Sequence, residues 1–199
     1  MQHSLRIKTF LTTACLLAAF SQNALSAEVA GIKFEDTVKL ANKELKLNGA
    51  GMRVKAAFFK LYVAGLYLTE KKSTPAEIMT LAGPKRLLIT MQREISSEDF
   101  GDAFMKGLND NSDKAEKSKL VNQTVTFGEM FASVPGLKKG DVLSLDWIPG
   151  TGMQSILNGK QIGQTIADAA FYNAVLKIWL GDKPVDSSLK PQLLGEKTN

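Results

Sequence analysis

The residues able to do chemistry are quickly narrowed by position. The 199-residue chain has one histidine, His3, and one cysteine, Cys15. Both fall within an N-terminal stretch that reads as an export signal. Arg6 and Lys8 form a charged start without an acid, and Phe10 to Phe20 (FLTTACLLAAF) is an apolar run of about eleven residues. That run is too short to span a bilayer, which takes about 20 residues. Small residues follow at Ala24-Leu25-Ser26-Ala27, so cleavage is expected after Ser26 or after Ala27. The chain that remains, about 172 residues, has no histidine and no cysteine. A Ser-His-Asp or Cys-His nucleophile is then excluded, as are a Cys/His zinc site and a disulfide. Catalysis, if any, must use carboxylates, Lys, Arg, Tyr, Ser or Thr. No cofactor and no metal site is expected.

Of the remaining polar groupings, few suggest a reaction. Glu98-Asp99 and Asp102 sit where a helix start favours acids, so they read as helix charges and not as an acid/base pair. Gly150-Thr151-Gly152 lacks the lysine and the strand-to-helix setting of a phosphate loop. Net charge is +5 for the whole chain. Loss of Arg6 and Lys8 leaves 23 basic against 20 acidic residues, about +3. The basic residues are scattered, which gives no nucleic-acid signature. No second segment is apolar enough to span a membrane. The pattern does not fix an oligomeric state.

These groups must be positioned by one domain, expected over residues 28–195, with a loose polar tail at 196–199. Ile32 to Leu40 alternates as a strand, Asn42-Lys43 turns, and Glu44 to Leu47 continues the pairing. Asn48-Gly49-Ala50-Gly51 has turn composition. Met52 to Leu68 is rich in aromatic and β-branched residues and too long for one strand, so a bend is expected near Phe58–Lys60. Thr74-Pro75 opens a short helix, with Thr as cap and Pro at the first helical place. Lys85 to Arg93 is a strand, and Ser96-Ser97-Glu98-Asp99 starts a capped helix carrying Phe100, Phe104, Met105 and Leu108. A second helix carries Leu120, Thr124, Phe127 and Phe131. Strands Val142–Trp147, Met153–Leu157 and Lys160–Gly163 follow, the last two joined by Asn158-Gly159, a strong hairpin signal. A final helix over Ile166–Leu180 ends at Gly181, a natural cap. Hairpins and helices in separate runs predict an α+β fold with a largely antiparallel sheet.

Three stretches, in this order and spacing, resemble the chalcone isomerase-like family, in particular its branch of short exported bacterial proteins. The first is Leu47-Asn-Gly-Ala-Gly-Met-Arg53 with Phe59-Lys-Leu-Tyr62-Val-Ala-Gly-Leu-Tyr67-Leu. The second is Ile89-Thr-Met91 running into Glu94-Ile-Ser96. The third is Leu157-Asn-Gly-Lys160 through Ile178-Trp-Leu-Gly-Asp182-Lys-Pro-Val-Asp186 and Leu189-Lys-Pro-Gln-Leu-Leu-Gly195. The resemblance implies an open-faced β-sandwich: a large antiparallel sheet backed by a layer of helices, with a ligand cleft between them. It also implies a choice of function. Plant members cyclise chalcones, plastid members bind fatty acids without catalysis, and the bacterial branch has no general activity assigned.

Site residues carried over from the resemblance are these. Arg53 matches the arginine that polarises substrate in the enzymes; such a cation stabilises an oxyanion or holds a carboxylate equally well. Tyr62 stands where the enzymes use a threonine. Phe100 stands where they use a tyrosine, and Gly107 where they use an asparagine. With Phe104, Leu61, Phe58 or Phe59 and Phe171, the expected cleft is apolar, and Arg93 is a second candidate cation. The reading that follows is a periplasmic, non-catalytic member. Its partner would be a small apolar or fatty-acid-like ligand with a carboxylate held by Arg53. An isomerase of the intramolecular-lyase type and an envelope interaction protein with a vestigial cleft remain as alternatives.

Overall fold

A computed structural model of the protein describes residues 27–56 and 58–196. The signal expected over residues 1–27 therefore lies outside the described residues except for Ala27, and the tail except for Glu196. In chain order the strands are β1 (Ala27–Val29), β2 (Ile32–Phe34), β3 (Thr37–Leu40), β4 (Lys43–Lys55), β5 (Phe59–Leu68), β6 (Lys85–Met91), β7 (Ile95–Ser96), β8 (Gly136–Leu137), β9 (Val142–Ile148), β10 (Gly152–Leu157) and β11 (Lys160–Ile166). The helices are α1 (Pro75–Thr80), α2 (Ser97–Asp110), α3 (Lys114–Lys119), α4 (Val121–Ala132), α5 (Ala169–Leu180) and α6 (Leu189–Leu193).

Seven strands form one antiparallel sheet in the order β11-β10-β9-β6-β5-β4-β3. Helices α2, α4, α5 and α6 pack on one face, against Leu61, Ala64, Leu66, Ile89, Met91 and Leu145. The small β1–β2 hairpin lies on the other face, where Phe34 packs with Leu45, Leu47, Val63 and Tyr67. The period of two along β5 divides the layers: Tyr62, Ala64, Leu66 and Leu68 point to the helices, Val63 and Tyr67 away from them. This is the α+β architecture expected.

Local caps follow the sequence closely. The Thr74 hydroxyl accepts from the Glu77 N–H at 3.4 Å, and the Ser96 hydroxyl accepts from the Asp99 N–H at 3.0 Å. Asn158 and Gly159 take φ of 50° and 81° in the β10–β11 hairpin. Two expectations are corrected. First, Asn48-Gly49-Ala50-Gly51 is not a turn but lies inside β4, with a bulge between Leu47 and Gly49. The glycines are there because α6 lies against them: a Cβ on Gly49 would stand 2.0 Å from the Gln192 carbonyl oxygen, and one on Gly51 2.2 Å from Gln192 Oε1. Second, the bend near Phe58–Lys60 is a full reversal placed just before it, since β4 ends at Lys55 and β5 begins at Phe59. Gly181 caps α5 as expected, though at φ −73° and not in the left-handed region. Glycine is required by contact, because a Cβ would meet Asn111 Oδ1 at 2.3 Å.

The β4 bulge fixes the direction of the candidate arginine. Before it, the odd-numbered Leu45 and Leu47 face the β1–β2 layer. One extra residue reverses the parity. After it Gly49 pairs with Leu66, Gly51 with Ala64 and Arg53 with Tyr62, all on the helical face.

Candidate functional site

The end of the β4–β5 hairpin, the front of α2 and the segment after α5 meet around Arg53. The Arg53 guanidinium carbon lies 5.4 Å from the centre of the Tyr62 ring, a cation–π contact. Among the described residues Arg53 makes no ion pair. Arg86 shows the contrast: it holds Asp146 with two hydrogen bonds of 2.7 and 2.6 Å and is committed to the sheet. The backbone beside Arg53 is pinned by Asp186, whose Oδ2 accepts from the Val54 N–H at 2.9 Å. Asp186 also accepts from the Ser188 hydroxyl at 2.7 Å and from the Ser188 and Leu189 N–H groups at the start of α6. Partial burial opposes its charge, but these donors prevail and hold its carboxyl below the ordinary carboxylate value.

Tyr62 is buried, and its hydroxyl accepts a 2.8 Å hydrogen bond from Trp179 Nε1 on α5. Burial pushes its phenol above the ordinary value, while the Arg53 charge and the Trp179 donor pull the other way. Phe100 and Phe104 on α2 are buried as well. Phe104 stacks on Phe127 at 4.4 Å and meets Trp179 edge-on at 6.3 Å; Phe100 meets Phe131 at 5.5 Å. Their rings join sheet and helices into one core. The space left between Arg53, Tyr62, Phe100, Phe104, Ile178 and Trp179 is about 10 Å³, the size of a single water at most. Gly107 contributes to this closure, since a Cβ there would lie 2.7 Å from Ile178 Cγ2. The asparagine of the enzymes has no room.

The open volume lies outside this floor, along α2. On one side of Arg53 a groove of about 530 Å³ is bounded by Val54, Lys55, Asp102, Ala103, Lys106 and Lys183 to Val185. On the other a groove of about 460 Å³ is bounded by Lys55, Phe59, Leu61, Arg93, Ile95, Asp99 and Ala103. Both are bounded by Arg53, Lys55, Asp99 and Ala103, so the two grooves adjoin at Arg53. Glu94, Asp99, Asp102 and Asp110 add carboxylates to its walls. Asp99 is engaged by the Ser96 hydroxyl at 2.8 Å and Asp110 by Lys106.

The five residues singled out from the sequence thus divide. Arg53 reaches both the outer groove and the closed core. Tyr62, Phe100 and Phe104 belong to the core side. Arg93 stands in the outer groove, its guanidinium carbon 5.0 Å from the Phe59 ring centre. Of the pair Phe58 and Phe59, Phe59, 40% exposed, lines the outer groove, whereas Phe58, 71% exposed, lies at the hairpin tip outside it. Phe171 is fully inside the core. Trp179 and Asp186 were not expected at the site. Only the long-range pairing of α5 and α6 with β4 and β5 brings them there. No group of residues suited to a metal ion occurs among the described residues. No helix among them is long and apolar enough to cross a membrane.

Residues 26–195 match the chalcone isomerase-like family, and the chain belongs to it. No curated protein matches the chain by sequence. Among solved structures it is similar to a fatty-acid binding protein of Arabidopsis thaliana. The TM-score is 0.63 with 14% identity, covering 82% of this chain and 92% of that one. At that identity the likeness is one of fold.

Proposed function

We propose that the protein is a non-catalytic binder of a small, mainly apolar molecule with one anionic end, a fatty acid being the simplest such ligand, and that it acts in the periplasm. The carrying observation is Arg53. It is a half-buried cation standing on the Tyr62 ring, without a carboxylate partner among the described residues, where two grooves adjoin. A carboxylate there gains a charge-assisted, two-pronged hydrogen bond. The apolar part of the ligand lies along Phe59, Leu61, Ile95 and Ala103, in a space of about 460 Å³, within the roughly 300–1,000 Å³ of small-molecule sites. The Arabidopsis protein of the same fold, a fatty-acid binding protein, supports this reading. The periplasmic location rests on the N-terminal pattern.

Binding is favoured over catalysis because the floor of the site offers little to a reaction. Phe100 and Gly107 stand where the family's enzymes carry a tyrosine and an asparagine, and the space beneath Arg53 is about 10 Å³. A ligand is therefore held in the outer groove and not swallowed between sheet and helices. Mass spectrometry of the gently extracted protein tests this. Co-purifying fatty acid that is lost in Arg53→Ala supports the reading; a ligand-free protein that takes up no added fatty acid contradicts it. Fractionation with N-terminal sequencing of the exported form tests the location.

A further inference from the structure

The β4–β5 hairpin carries an apolar tip that the fold does not use. Phe58 and Phe59 are 71% and 40% exposed, with ring centres 4.3 Å apart. The other large exposed apolar residues among those described, Val121 and Val125, are on α4. Two adjacent phenylalanines on a reversal cost solubility and contribute nothing to the core. The sequence that carries them is basic, while Glu94 and Asp99 lie further along the groove wall. From Arg53 to Lys60 the sequence reads RVKAAFFK, with three cations and no acid. Lys55 and Lys60 are exposed, and Arg93 stands over the Phe59 ring at 5.0 Å.

We infer that this hairpin tip docks the protein on the surface of a bilayer that contains anionic phospholipid. Aromatic rings at a projecting end gain by entering the acyl boundary, and cations beside them gain from the negative headgroups. Neither element alone gives stable attachment; together they supply the two signals that reversible membrane binding needs. An acidic protein surface would meet the cations but leave the rings without an apolar bed. The groove continues from this tip, since Phe59 and Arg93 share its wall with Arg53. Docking therefore opens the groove toward the lipid phase. That use of the contact rests on the ligand reading above; the contact itself does not.

Vesicle flotation tests the inference, using a chain that begins at Ala27 and so contains every described element. Vesicles of phosphatidylethanolamine with phosphatidylglycerol are compared with phosphatidylcholine alone. The protein is expected to float with the anionic vesicles, less so with rising salt. Phe58→Ser, which alters an exposed side chain, should weaken partitioning by about tenfold. Lys55→Glu/Lys60→Glu should abolish the preference for anionic lipid, and Val121→Ser/Val125→Ser should leave flotation unchanged. A native chain that stays off both vesicles, or a Phe58→Ser chain that floats like the native one, overturns the docking, including in favour of a protein partner. Fatty-acid uptake without vesicles separates the two readings. Uptake without flotation removes the docking alone, and flotation without uptake removes the ligand reading alone.

Discussion

The side-chain amide of Asn48 donates to the carbonyl of Leu193 at 2.8 Å, tying the bulge in β4 to the last helix, 145 residues away in the sequence. The same side chain accepts from the Lys72 N–H at 2.7 Å. Asn48 is buried and both its hydrogen-bonding ends are engaged. Because the bulge decides which face Arg53 joins, the fold of a distant helix and the direction of the candidate ligand cation are one problem.

Asn48→Ala should therefore cost more than a lost surface contact. Leaving the Leu193 carbonyl and the Lys72 N–H without a partner is expected to cost about 1–3 kcal/mol, read as a lower denaturation midpoint with an unchanged m-value. Binding at Arg53 should weaken in parallel. Deleting Asn48 removes the same two hydrogen bonds together with the bulge residue, yet leaves Gly49 opposite Leu66 and Arg53 opposite Tyr62, so Arg53 should keep its face while stability falls.

Trp179 and Tyr62 supply a second test. The Trp179 Nε1 donor reaches the buried Tyr62 hydroxyl at 2.8 Å. Tyr62→Phe and Trp179→Phe should each destabilise the protein. Their double-mutant cycle should return a coupling of about 0.5–1.5 kcal/mol. A coupling near zero would mean the hydroxyl is satisfied elsewhere.

Restoring the enzyme residues should not restore an enzyme. Gly107→Asn must push α2 off Ile178, since even a Cβ would lie 2.7 Å from it. Overpacking of this kind typically costs about 1–3 kcal/mol. Phe100→Tyr places a hydroxyl in a core with no space for substrate. The expected result is a less stable protein with no chalcone cyclisation above background, followed by the loss of chalcone absorbance.

Acid should loosen the Arg53 end of the groove before it unfolds the sheet. Asp186 has a carboxyl held below its ordinary value in the folded state. Its contribution is thus present above the unfolded value, about 3.9, and is lost as pH falls through the lower folded value. Native-state hydrogen exchange at the Val54 N–H should accelerate in that range. Asp186→Asn should show the faster exchange already at neutral pH.

Much of the scaffold was legible because local chemistry and long-range structure agree. Thr74-Pro75, Ser96 with Asp99, and Asn158-Gly159 each specify their cap or turn within four residues. Asn48 to Gly51 misled because turns and bulges draw on the same residues. What distinguishes them here is α6 pressing on Gly49 and Gly51, and nothing near residue 48 announces it. Gly181 was legible as the cap of α5, although glycine is needed there for its contact with Asn111 and not for a positive φ. The candidate site was legible through resemblance at Arg53 and Tyr62. It was not legible at Trp179 and Asp186, which reach those residues only when the chain closes on itself. Of Phe58 and Phe59, read as alternatives for the cleft, Phe59 does line the groove. Phe58 lies in the reversal between β4 and β5, which leaves it exposed.

Titration of a long-chain fatty acid into the native protein, Arg53→Lys and Arg53→Ala, with circular dichroism to establish that all three fold, reads the role of Arg53 as the ligand anchor. Saturable one-site binding by the native chain is expected. Arg53→Ala should weaken it by about tenfold or more, the worth of a hydrogen bond to a charged group. Arg53→Lys should lie between, since it keeps the charge but not the fork. Absence of binding to the native chain, or equal affinity in Arg53→Ala, would contradict that role.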